Sequence, residues 1–292
     1  MVVRGGDAKP VVVSRVLGSG EGVASVPKKL PLFRGRLFSI LSGSDDLVVV
    51  HGSRFSGKTT LVRTWLMTDP IPAAVPVFVE LPPGGITSDQ YWGRVLSCVC
   101  ACAGITVIPH GRNNFDTLSS ALAAQNVPIV LMLDGLDAVE SAEDRVGELL
   151  ECGAQLRIIV TTRIGGRWHR CIRGRPDRTM ISSDALSFTV EETEAFLRAS
   201  AVPRSLRVVD RITRRTGGLP ALIAAVCEAL KAEGVQTSNE PERLDVLVDS
   251  TVDTLVLRTV ATDPVLDPLF RATPVSPDVV PRWCRLPSPY RR

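Results

Sequence analysis

Residues 52–59 read Gly-Ser-Arg-Phe-Ser-Gly-Lys-Thr, which fits the pattern GxxxxGK[ST]. The apolar run Leu47–His51 stands directly before it. Lys58–Met67 follows, with Leu61, Val62, Trp65 and Leu66 on one helical face. A strand, a glycine loop and a helix in that order form a unit whose loop N–H groups and helix N-terminus make a concave anion site. The two glycines allow the tight path and the close approach of a phosphate. Lys58 supplies a point charge between β- and γ-phosphates, and the Thr59 hydroxyl is a ligand for Mg²⁺. The residues expected to face a nucleotide here are Gly52, Ser53, Phe55, Ser56, Gly57, Lys58, Thr59 and Thr60.

Three further residues extend this chemistry. Asp134 follows the apolar run Pro128–Leu133. An acid at the C-terminal end of a parallel strand faces the crevice where open α/β sheets bind ligands, so Asp134 is expected on the metal with Thr59. Asp137 is placed either to orient or deprotonate an attacking water, or to cap the helix near Ala142. Thr161-Thr162-Arg163 ends the next strand, which puts Arg163 beside the γ-phosphate or in solvent. The expected catalytic set is Lys58, Asp134, Asp137 and Arg163.

The rest of the chain alternates strand and helix. Strands are expected at Val75–Leu81, Val127–Leu133, Leu156–Thr162 and Thr179–Ser182. Helices are expected at Asp89–Ala103, Thr117–Ala124 and Ala142–Cys152. Near-continuous Val/Ile/Leu strands separated by helices imply an α/β fold with a buried parallel sheet flanked by helices. After Phe188 the pattern becomes helical. Thr189-Val-Glu-Glu192 is a capping box, Gly217-Gly218 stops a helix, and Pro220 opens the next one, which Gly234 ends. The expected organisation is a leader at 1–29 with a short strand at Val11–Val13, a nucleotide-binding domain at 30–185 and a small helical lid at 186–234. A polar linker and a partial helical or winged-helix-like tail occupy 235–292.

Composition narrows the remaining classes. Hydrophobic residues are 45% of the chain, which excludes disorder, and a net charge of +3 makes no case for a nucleic-acid or membrane partner. No apolar run approaches the ~18 residues that span a bilayer, and the N-terminus lacks a signal-peptide layout, so the expected location is the cytoplasm. The seven cysteines include no CxxC pair, and Cys98, Cys100 and Cys102 read as small apolar filler on a helix. Arg167, Arg170, Arg173, Arg175 and Arg178 read as a solvated loop carrying Trp168 and His169. No groove-reading element accompanies them, so direct DNA binding is not expected.

With the phosphate loop, Asp134, Thr161-Thr162-Arg163 and Gly217-Gly218-Leu219-Pro220 in this order, the chain resembles the STAND class of P-loop NTPases. These are the signal-transduction ATPases that include NB-ARC, NACHT and large ATP-binding LuxR-type bacterial regulators. The resemblance runs from about Leu32 to Leu230. It implies that Leu32-Phe33-Arg34-Gly35-Arg36 is the family's lead-in motif, with Phe33 and Arg36 at the nucleotide, and that Pro220 packs near the base or phosphates. It implies ATP/ADP and Mg²⁺ as cofactors, and a protein partner or self-association in the ATP state. It also places the Leu156–Thr162 strand between the other two site-bearing strands. The implied function is a regulatory switch with slow hydrolysis in bacterial signalling or transcription. The alternatives are an AAA+ or initiator-like ATPase associated with nucleic acid, and a nucleotide-binding scaffold without turnover. Two departures stand out. Gly135 occupies the position that often carries a second acid, leaving hydrolysis to Asp137 in a NACHT-like pattern, and no histidine follows His169.

Overall fold

The loop-bearing strand β1 (Leu47–His51) sits inside a five-stranded parallel sheet of order β2-β3-β4-β1-β5. The other strands are β2 (Val75–Glu80), β3 (Ile129–Asp134), β4 (Leu156–Thr162) and β5 (Arg178–Ile181). The computed structural model describes residues 32–68, 71, 73–81, 86–106, 113–152, 155–163, 165–202, 205–233 and 245–254. The leader, the strand expected at Val11–Val13, the linker at 235–241 and the proline-rich tail beyond 254 lie outside the described residues.

Alternation within each strand explains the unbroken apolar runs. Leu47, Val49, Leu131, Leu133, Ile158 and Val160 face one layer, while Val48, Val50, Val130, Met132 and Ile159 face the other. The first layer holds α3 (Ser88–Ala103), α4 (Asn114–Ala123), α5 (Ala142–Cys152) and α6 (Gly165–Ile172), with Trp92 and Trp168 buried against the strands. The second holds α1 (Gly35–Leu41) and α2 (Lys58–Thr68), with Phe38 and Trp65 buried. Strands covered on both faces need apolar side chains at every position. Register then sets the site: Asp134 pairs with Thr161, and His51 with Thr162, so three strand ends finish level.

Most element ends fall within one or two residues of expectation, and the larger departures are at α4 and at residues 165–172. The structure starts α4 at Asn114, three residues before the expected start, because Asn113 accepts a hydrogen bond from the Asp116 N–H and caps the helix. Residues 165–172 form a helix where a loop is expected. Gly165, Trp168, Cys171 and Ile172 recur at helical spacing and turn inward, while Arg167, Arg170 and Arg173 face outward. Burial of Trp168 outweighs the two glycines at the helix start.

The chain leaves β5 through a short turn of helix, α7 (Ser183–Leu186), and enters a helical module. It comprises α8 (Val190–Ala199), α9 (Leu206–Thr216) and α10 (Pro220–Ala232) around Leu197, Ile212, Ile223 and Val226. Thr189 and Glu192 form the capping box of α8, and Pro220 is in the first turn of α10. Val248 and Val252, from a helix at 245–254, join the same cluster. Arg211 and Arg215 pair with Asp245, Asp249 and Asp253 along that contact. Among the described residues no helix is long and apolar enough to cross a membrane.

Candidate functional site

The loop from Gly52 to Gly57 connects the end of β1 to the first turn of α2. Gly57 has φ +84, a conformation that a side chain would strain. Phe55 adopts φ 64 despite its bulk, and the residue is 51% exposed. A bulky residue held there stores about 1–3 kcal/mol of backbone strain that the flanking strand and helix must hold. Ser56 is buried, and its hydroxyl donates to the Ser53 carbonyl at 2.9 Å. The Ser53 hydroxyl is buried with no hydrogen-bond partner among the described residues.

Lys58 points back over the loop. Its ammonium donates to the Gly52 and Ser53 carbonyls, each at 2.7 Å, and lies 3.4 Å from the Ser56 hydroxyl. Burial lowers its pKa to about 8, against the opposing pull of Asp137 and Asp134. The carbonyl bonds are replaceable, so an arriving anion can take over the ammonium.

The two carboxylates have separate partners. Asp134 is 7% exposed and accepts from the Thr59 hydroxyl at 2.9 Å to each oxygen. It also accepts from the Thr161 hydroxyl, which in turn receives the Gly135 N–H at 3.0 Å. Asp137 lies in a 3-10 turn, Leu136–Ala138. Its Oδ1 accepts from the Thr162 hydroxyl at 2.6 Å and from the Arg163 N–H at 2.7 Å. Its Oδ2 accepts from Arg163 Nε at 3.1 Å. Burial pushes the Asp137 carboxyl up, but these three donors outweigh it and hold the group below its ordinary value.

Thr161 and Thr162 are therefore site residues in their own right. The Thr-Thr-Arg pattern marked their position, but only Arg163 drew a role from it. Adjacent strand residues face opposite ways, so neighbouring threonines can serve two different acids.

The helical module and the crossing that leads into it meet the loop directly. A Cβ placed on Gly57 would lie 3.3 Å from Pro220 Cγ, and one on Gly52 would lie 2.8 Å from Leu186 Cδ1. The crossing at 185–189 is held from the other side by α1. Arg36 donates to the Ala185 carbonyl at 2.6 Å and the Ser187 carbonyl at 2.7 Å. Arg34 and Arg36 each reach Glu192 Oε2 at 3.0 Å, and the Arg34 guanidinium stands 4.8 Å from the Phe188 ring centroid. Arg34 is 4% exposed, a burial that sequence reading gave no sign of. Burial raises the Glu192 carboxyl, but its bonds from the two arginines more than reverse that. Phe33 is 63% exposed and packs edge-on against Phe38.

These groups fit a polyphosphate with a hard divalent cation. The loop offers N–H groups, an ammonium and an unpartnered hydroxyl to anionic oxygen, and Thr59 with Asp134 offers an all-oxygen donor pair. No protein-family model matches the chain, and no curated protein matches it in sequence. Solved structures match in fold. A Walker-type ATPase of Pyrococcus abyssi superposes with a TM-score of 0.57 at 15% identity, over 83% of this chain and 77% of that one. The ORC1 protein of Aeropyrum pernix, solved in complex with DNA, gives 0.52 at 14% identity, over 86% of this chain and 76% of that one. A signal-transduction ATPase with numerous domains and a tetratricopeptide repeat sensor, from Pyrococcus horikoshii, gives 0.49 at 15% identity. It is matched over 85% of this chain and 38% of its own. The sheet and its flanking helices are those of a P-loop NTPase.

Proposed function

We propose that the chain binds Mg²⁺-ATP at Gly52–Thr60 and works as a regulatory switch of the STAND type, in bacterial signalling or transcription. The observation that carries this reading is the contact between lid and loop: Pro220 lies over Gly57 and Leu186 over Gly52. A ligand that moves the loop must then move the lid. Thr59 and Asp134 would hold Mg²⁺, which neutralises charge on the phosphates. Phe33, exposed beside the lead-in to α1, is offered to the base. Hydrolysis in this reading is slow. Asp137 is the acid available to take a proton from water, and a carboxylate held below its ordinary range is a weak base. Self-association, or capture of a protein partner, belongs to the ATP state.

A switch requires the two nucleotides to differ in affinity for its two conformations. Small-angle scattering should therefore give distinct profiles for the ATP-analogue and ADP complexes. Arg163→Ala should erase the difference while changing ADP affinity by less than about threefold, roughly 0.7 kcal/mol. Identical wild-type profiles, or turnover of many molecules per second without a partner, would remove the switch.

The outer face of α6 favours a second reading, an ATPase associated with nucleic acid. Arg167 and Arg170 are exposed on it, Arg173 is exposed just past its end, and no acid occurs between 163 and 176. If the three neutralise phosphates, log affinity for duplex DNA should fall against log salt with a slope of about −2.7. Arg170→Ala should flatten that slope by about 0.9. No measurable DNA binding at 50 mM salt excludes this alternative.

A further inference from the structure

We propose that Glu80, at the end of the edge strand β2, is a second carboxylate of the cation site, and that Arg63 holds it aside until the cation arrives. The inference rests on the nucleotide reading above and adds a positioning residue to its Mg²⁺ site.

Four side chains form two matched contacts. Glu80 and Asp134 are register partners on β2 and β3. They finish level on strands that lie about 4.8 Å apart. Both face the α2 side of the sheet. Phe78 and Met132, two residues before them, pack in the layer that holds α1 and α2, and strand residues two apart share a face. On the helix, Thr59 and Arg63 are one turn apart and share a face as well. The Thr59 hydroxyl donates to Asp134 at 2.9 Å, and Arg63 Nη2 donates to Glu80 Oε2 at 2.7 Å. The first two turns of α2 therefore bridge both acids in register.

The two acids are held to different degrees. Asp134 is buried, and it accepts from the Thr59 and Thr161 hydroxyls. The Arg63 and Glu80 side chains are 46% and 53% exposed. An ion pair so open to water is worth about 0–1 kcal/mol. Arg63 also has a second resting place, because its guanidinium stands 5.2 Å from the Phe78 ring centroid. Glu80 can turn away from Arg63 at little cost.

A cation at Thr59 and Asp134 gives it reason to turn. Mg²⁺ sheds its hydration reluctantly and keeps several waters, which are strong donors in need of acceptors. Asp134 is already committed to two hydroxyls, and Glu80 is the acceptor beside it. Its side chain is one methylene longer than that of aspartate, so it reaches a water of the cation's shell without touching the cation. In the free chain, level carboxylates on neighbouring strands repel, and Arg63 cancels that charge. In the loaded site the same charge stabilises the cation.

The test measures the affinity of the full chain for a non-hydrolysable ATP analogue by calorimetry, once in EDTA and once in excess Mg²⁺. The ratio of the two dissociation constants is the gain from the cation. Glu80→Gln is expected to cut that gain about tenfold, the lower end for groups that support metal ligands, while binding in EDTA is no weaker than wild type. Arg63→Met releases Glu80 and is expected to leave the gain at or above wild type. Both substitutions break the same exposed ion pair, so a purely structural pair would give equal losses. Equal losses in the two variants, or an unchanged gain in Glu80→Gln, overturns the role of Glu80 and leaves nucleotide binding intact. A wild type that binds the analogue with no gain from Mg²⁺ overturns it too, and leaves the phosphate loop. Absence of binding under both conditions removes the nucleotide reading and the role of Glu80 with it.

Discussion

Replacing Lys58 with alanine is expected to weaken ATP binding at least tenfold, a loss of about 1.4 kcal/mol or more. The fold should survive, because α2 is held by Leu61, Val62, Trp65 and Leu66 and not by its first residue. The ammonium is half-committed already, since it satisfies the Gly52 and Ser53 carbonyls. Binding therefore exchanges two neutral acceptors for charged ones, and the variant loses only the gain of that exchange. The depressed pKa adds a second signature. The free site protonates at about 8, while phosphates around the ammonium hold the proton to higher pH. Affinity is full below that pH and falls as pH rises through it. Between pH 7.5 and 9.5 the wild-type Kd should rise about twentyfold by this linkage. Lys58→Ala should lack that rise, which separates Lys58 from any titration of the nucleotide. Titration calorimetry at three pH values decides it, and a folded variant with unchanged affinity at pH 7 would overturn the assignment of the loop.

The parts of this architecture that could be read from sequence are those whose cause is local. The strand before Gly52 and the helix after Lys58 follow from apolar spacing, and the capping box at Thr189–Glu192 needs only four residues. The position of β4 between β1 and β3 came from the resemblance and not from spacing, and the structure shows that order. The helix α6 escaped because its arginines and leading glycines mask an apolar stripe of Trp168, Cys171 and Ile172, which the spacing does contain. The partners of Asp137 escaped for a different reason. Thr162 and Asp137 are 25 residues apart, and nothing in either segment states that they meet until register is fixed. The burial of Arg34 is of the same kind, because its acceptors lie more than 150 residues away.

Gly217 and Gly218 are adjacent, both have positive φ, and yet should respond very differently to alanine. Gly217 has φ +60 with nothing within 4 Å of an added Cβ. Gly217→Ala should therefore cost about 1 kcal/mol, the penalty for left-handed backbone alone, and lower Tm by roughly 2–4 °C. Gly218 has φ +74, and an added Cβ would lie 2.6 Å from the Phe188 carbonyl oxygen. That neighbour is backbone and cannot rotate aside. It is also committed, because the Phe188 N–H donates to the Gly218 carbonyl at 2.7 Å and Arg34 and Arg36 hold the carbonyl of Ser187. Relief of the clash must separate the α9–α10 turn from the crossing at 185–189. Gly218→Ala should cost about 2–4 kcal/mol and lower Tm by roughly 6–12 °C. The functional consequence follows from position. Pro220 is two residues on, over Gly57, and Leu186 is two residues before Phe188, over Gly52. Displacing the turn lifts both contacts from the loop at once. Nucleotide affinity in Gly218→Ala should then persist through Lys58 and Thr59, while the difference between ATP and ADP scattering profiles is lost. Gly217→Ala should keep that difference. Equal thermal shifts in the two variants would show that the close approach at Phe188 carries no load, and an intact ATP/ADP difference in Gly218→Ala would show that the lid reads the nucleotide by another route.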